Sequence, residues 1–127
     1  MVVRSLVLAA VICLVACERP GAQEFAPATL TDVFAADFHS DKPAFCDALD
    51  TDLSHADAQA FFTRSRVVSS KELHDHYDIA PCHLEGVAKD GALLCDWKIR
   101  PGGTGLVSCG EKTWNVVCDD CEDLYKD

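Results

Sequence analysis

Apolar positions along this chain follow one spacing before residue 78 and another after residue 82. Between Thr31 and Tyr77 they recur in short bursts at the three- and four-residue intervals of helices with a single buried face. TDVFAADF sets Val33, Phe34 and Phe38 near one side. SDKPAFCDALDTDL, with a Ser/Asp start and Pro43 in its first turn, aligns Phe45, Ala48, Leu49 and Leu53. SHADAQAFF opens on Ser54 and Asp57, an N-terminal cap, and SSKELHDHY repeats the device with Ser69 and Glu72, which read as a capping box. Each of these helices carries only two to four apolar residues and needs a surface to pack on.

The stretch from 82 to 118 supplies that surface. CHLEGVA, LLCDWKIR, LVSC and TWNVVC are strand-like segments separated by Lys89-Asp90-Gly91, by Pro101-Gly102-Gly103-Thr104-Gly105 and by Gly110-Glu111-Lys112. In the second segment Leu93, Cys95, Trp97 and Ile99 alternate with Leu94, Asp96, Lys98 and Arg100, one buried face against one mostly polar face. Trp114, Val116 and Cys118 share a side of the last. The pattern predicts an α+β domain: short N-terminal helices on one face of a four-stranded antiparallel meander. A hairpin centred near Gly102 sets Cys95 opposite Cys109, within disulfide reach.

Before residue 31 the pattern is different again. Arg4 is followed by an apolar run from Leu6 to Ala16, eleven residues, against about 20 for a helix that crosses a bilayer. A basic start, a short apolar middle and small residues at the break are the profile of a secretory leader. Leu14-Val15-Ala16-Cys17 resembles the lipobox of bacterial lipoproteins, in which the cysteine is acylated and begins the mature chain. Ile12 is bulkier than the residue that position takes, so Cys13 is the poorer candidate. The resemblance implies lipidation of Cys17 and a membrane anchor facing the periplasm. Glu18 stands where an aspartate often marks inner-membrane retention, which leans toward the outer membrane. ERPGAQEFAPATL, residues 18–30, reads as a tether. The expected organisation is thus a leader over 1–16, a lipid-anchored tether over 17–30 and one domain over 31–127.

Loss of residues 1–16 removes a single charge, Arg4, leaving 10 basic against 21 acidic side chains and a formal charge of −11. Such a chain repels nucleic acid and has no basic patch to release counterions. A basic protein is the partner that acidity favours. Six cysteines remain beside Cys17: Cys46, Cys82, Cys95, Cys109, Cys118 and Cys121. In an exported domain of this size an even set reads as a disulfide framework. Beyond Cys95 and Cys109 the pairing is open.

Two stretches could carry chemistry. Cys118 and Cys121 have C-x-x-C spacing, but Asp119, Asp120, Glu122 and Asp123 crowd them with negative charge that disfavours a reactive thiolate. The same pair is half a zinc site, with His74, His76 and His83 as further donors, yet no second half follows. In KELHDHYDIAPC, His76 with Asp75 or Asp78 could form an acid/base centre. On a helix, however, Asp78 shares a face with His74 and not with His76, and no nucleophile lies near in sequence. Gly102-Gly103-Thr104-Gly105 joins strands instead of opening a helix, unlike a phosphate loop. No cofactor is implied. HDHYDIAPC, W-x-I-R, GGTG and the terminal C-D-D-C together resemble a group of small exported proteobacterial proteins without an assigned activity, over about residues 60–121. That resemblance implies a shared domain only.

The expected function is a lipid-anchored, disulfide-stapled interaction module of the inhibitor or immunity type. Its binding surface would draw on His74, His76, Tyr77, Asp78 and Arg100. A periplasmic metal-binding protein and a small enzyme centred on His76 are the alternatives.

Overall fold

The computed structural model describes residues 25–125, so the leader, Cys17 and most of the tether lie outside the described residues. The meander is present: β3 (Cys82–Asp90), β4 (Leu93–Arg100), β5 (Thr104–Cys109) and β6 (Lys112–Val117) pair in sequence order. It is extended on both sides. β1 (Thr31–Ser40) adds to β3 and β2 (Arg66–Val68) adds to β6, giving a six-stranded, all-antiparallel sheet of order β1-β3-β4-β5-β6-β2 in place of the expected four strands. The class is α+β, stapled by three disulfides.

Two of the four expected helices are strand or turn. TDVFAADF lies in β1, where register shifts between Thr31 and Phe34 and between Ala35 and Asp37 disturb the alternation. Its inward positions, Val33, Ala35 and Phe38, therefore fall at intervals of two and three, which imitate a helical stripe, while Phe34 is exposed. In SDKPAFCDALDTDL the aspartates compete with helix formation. Asp47 accepts from Leu49 N and Asp50 accepts from Asp47 N, so the chain makes only a 3-10 turn over Ala48–Thr51. Phe45 is 82% exposed and Leu49 is exposed as well; of the expected stripe only Leu53 is buried.

The other two helices form where the caps predict. In α1 (His55–Arg64) Ser54 Oγ accepts from Asp57 N and the Asp57 carboxylate accepts from Ser54 N. α2 (Ser70–His76) has half of its box: Ser69 caps Glu72 N, but the Glu72 side chain turns to Arg66. Only α1 packs as a helical layer. It delivers Ala58, Phe61 and Phe62 onto Trp97, Ile99, Val107 and Val116, with Phe62 edge-on to both Phe61 and Trp97. α2 buries no residue and touches β6 through Ser70 and Asn115.

The packed unit also begins earlier than Thr31. Phe25 stacks on Trp114 at 4.2 Å, and Pro27 and Leu30 are buried. Cys95 faces Cys109 in the β4–β5 register and is bonded to it; Cys46 bonds Cys82, tying the 41–53 segment to the start of β3; Cys118 bonds Cys121. These cross-links are the chemistry of an oxidising, exported compartment. Among the described residues no helix is long and apolar enough to cross a membrane.

Candidate functional site

Directly opposite residues on paired strands share a face, so the register lays out the side of the sheet that α1 leaves uncovered. One row crosses all six strands: Asp37, Glu85, Lys98, Leu106, Asn115 and Val68. The row beyond it contains Val87, Asp96 and Ser108, and on the other side His39 stands opposite His83. Asp37, Glu85, Val87, Asp96, Lys98, Leu106 and Ser108, with the backbone around Gly86, enclose a cleft of about 350 Å³, at the small end of the range of ligand pockets. Val87 and Leu106 give it an apolar floor, while three carboxylates and one ammonium surround it.

Gly86 lets the core pack closely beneath this cleft. A side chain there would run into the Phe34 carbonyl and the Trp97 ring. Without one, the indole of Trp97 lies against β3 and donates its Nε1 proton to the Val87 carbonyl at 2.8 Å. The indole thereby fills the core side of the sheet beneath the cleft.

At the cleft's β1 end Glu85 bridges two imidazoles. His39 Nε2 lies 3.1 Å from one carboxylate oxygen and His83 Nε2 lies 3.1 Å from the other, with the rings stacked at 5.3 Å. The hydrogen bond from His83 is the main reason that the Glu85 carboxyl titrates below its ordinary range, with the His39 charge adding to it. Lys98, opposite Glu85 on β4, forms no ion pair with it among the described residues. None of these groups was among the expected site residues apart from His83. The face-sharing pair His83-x-Glu85 was available once β3 was drawn, but His39 and Asp37 required the 31–40 segment to be a strand.

The residues singled out from the sequence are dispersed. His74 and His76 are exposed on α2, Asp78 follows it, and among the described residues none of the three side chains has a hydrogen-bond partner; Asp75 pairs with Lys71 at 2.6 Å. No hydrogen bond or ion pair joins Arg100 to the 74–78 segment among the described residues. Arg100 is half-buried, and burial holds its guanidinium below its ordinary range, with Asp41 opposing the shift. Tyr77 closes α2, and its hydroxyl donates to Asp119 Oδ1 at 2.6 Å while accepting from Arg66. The Asp119 hydrogen bond retains the phenolic proton and raises its pKa.

The C-x-x-C segment sits in a second, smaller cleft of about 160 Å³ with Tyr77, Gly103 and Tyr125. Its acids are met by base. Arg66 Nε donates to Asp119 at 3.0 Å, and Arg64 donates to Asp123 at 2.8 Å and to the Asp120 carbonyl at 3.1 Å. Cys118, Asp120 and Cys121 cluster closely, but the two sulfurs are bonded to each other and buried. Neither is therefore a thiolate, the form that ligates metal or attacks a disulfide.

No family model matches the chain, and neither the curated proteins nor the solved structures hold a match to it.

Proposed function

We propose that the protein is an exported, disulfide-stapled interaction module that uses the uncovered sheet face to grip a basic side chain of a partner protein. The observation that carries this reading is the cleft itself: Asp37, Glu85 and Asp96 placed around the Val87–Leu106 floor. A lysine or arginine has the complementary build, an apolar stem for the floor and a charged head for the carboxylates. The excess of 21 acidic over 11 basic residues favours a cationic partner at long range, an effect that speeds encounter and weakens with salt. The lipobox-like Cys17 supports the further proposal that the module is acylated and held at the outer membrane, facing the periplasm. Acyl chains anchor through about 0.8 kcal/mol per buried methylene, and more than one chain is needed for stable attachment.

Affinity capture from envelope extracts with the native lipoprotein as bait tests the first claim. The expected result is a partner retained at low salt, released at high salt, lost with Asp96→Lys or Leu106→Ser, and kept with Glu111→Gln in the β5–β6 turn. Salt-indifferent capture, or capture unchanged by both cleft variants, overturns it. For the anchor, Cys17→Ser is expected to move the protein from the membrane to the soluble periplasmic fraction, and an unchanged membrane fraction refutes acylation there.

A further inference from the structure

We infer that the β1–β3 ribbon is a metal site, holding one divalent transition ion, zinc(II) or copper(II), on His39, His83, Glu85 and Asp37. The four residues form a two-by-two array on one face: His39 opposite His83 and, one step along each strand face, Asp37 opposite Glu85. Two imidazoles with two carboxylates are a nitrogen and oxygen donor set of the kind zinc(II) and copper(II) take.

The Glu85 contacts prepare it. Metal bonds of about 2.0–2.2 Å place neighbouring ligand atoms roughly 2.9–3.4 Å apart in tetrahedral to square-planar geometry. Each Nε2 stands 3.1 Å from a different oxygen of Glu85, so the carboxylate already gathers both rings, and one ion meets both nitrogens once a ring turns inward. The His83 side chain is 17% exposed and fixed, whereas that of His39 is 54% exposed and can rotate to bring its nitrogen in. Rotamer changes of exposed side chains take picoseconds to nanoseconds.

A second observation points to a cation. Like charges directly opposite one another destabilise a sheet, and Asp37 faces Glu85 in that way. Among the described residues the Asp37 side chain has no ion pair or hydrogen bond, and Lys98 forms no ion pair with Glu85. A divalent ion between the carboxylates converts that repulsion into attraction. This site is separate from the Cys118–Cys121 pair, whose sulfurs are committed to each other. It shares Asp37 and Glu85 with the cleft but does not rest on the partner reading, which Asp96 and Leu106, outside the ligand set, test separately.

Isothermal titration of the oxidised mature protein with zinc(II) and, separately, copper(II) at pH 7 tests the inference. One saturable site per chain is expected for at least one of the two ions. His39→Ala and His83→Ala should each weaken it by at least about tenfold, since even loss of a residue that merely supports a ligand costs that much. Asp37→Asn, a near-isosteric change on an edge strand, should weaken it without touching the imidazoles. His74→Ala and His76→Ala should leave it unchanged. For copper(II), electron paramagnetic resonance should show hyperfine coupling to two imidazole nitrogens, reduced to one by His39→Ala. Absence of a saturable site for both ions overturns the inference, as does a site that survives His39→Ala, His83→Ala and Asp37→Asn.

Discussion

Thr104 is buried on the face of the sheet opposite α1, and among the described residues its hydroxyl has no hydrogen-bond partner. A buried hydroxyl in that state has lost its water and gained nothing. Valine has the same branched shape and a strand preference, so Thr104→Val is expected to raise unfolding stability by up to about 1 kcal/mol, measured by denaturant titration with disulfides intact. A fall in stability would show that the hydroxyl is satisfied. Gly86 gives the opposite case. A methyl group there meets the Phe34 carbonyl and the Trp97 ring at once. Gly86→Ala should therefore displace the indole, break its hydrogen bond to Val87 and cost about 1–3 kcal/mol as an overpacking change, with a changed near-ultraviolet signal from Trp97. An unaltered signal and stability would mean that β1 and β4 yield more easily than their packing implies. Gly103 has φ 88° and accepts from Cys118 N at 2.8 Å, which fixes where the β4–β5 turn meets the C-x-x-C segment.

The three disulfides should matter in the order of the loops they close. Cys46–Cys82 spans 36 residues, Cys95–Cys109 spans 14 and Cys118–Cys121 spans 3. Loop-closure entropy gives about 4, 3 and 1.5 kcal/mol in turn. Paired Cys→Ala variants unfolded in denaturant should fall in that order, and a Cys118→Ala/Cys121→Ala variant as unstable as Cys46→Ala/Cys82→Ala would sink the entropic account. Cys95–Cys109 was legible in the sequence because a hairpin with a defined turn fixes its own register. Cys46–Cys82 was not, because it depends on where a turn-rich segment docks. The same contrast separates the elements. β4 alternates cleanly, glycine turns separate β3 to β6, and α1 has a reciprocal cap, so each is specified within its own dozen residues. β1 is specified by β3: its bulged register spaces Val33, Ala35 and Phe38 like a helix, and only pairing reveals the strand. β2, three residues long, has no periodicity to read. The metal-site array depended on β1 and was hidden with it, whereas Asp96, Lys98 and Leu106 of the cleft lie on the legible hairpin.

At the scale of the whole molecule, acidity sets the response to pH. Among the described residues, carboxyls that titrate below their ordinary range include Glu85 through its His83 hydrogen bond, Asp119 through Tyr77 and then Arg66, and Asp123 through Arg64. A carboxyl whose folded pKa is depressed stabilises the fold above its unfolded pKa, about 4, and loses that contribution as pH falls through the folded value. All three side chains are substantially solvated, so each effect is small and screened by salt. They nonetheless act together, since Asp119 and Asp123 fasten the C-terminal segment to Arg66 of β2 and Arg64 of α1. Net charge acts the other way over a different range. Repulsion among the excess acids is greatest at neutral pH and vanishes near the isoelectric point, about 4.7. Stability is thus expected to rise slightly from pH 7 toward 5 and to fall below about 4. In thermal unfolding followed against pH, Asp119→Asn should lower the midpoint at pH 5 to 7 and flatten the acid limb. An acid limb identical in Asp119→Asn and wild type would mean that the Asp119 contacts contribute nothing to folding, and that buried Leu124 and the Tyr125 hydroxyl, which donates to the Arg100 carbonyl, hold the segment in place.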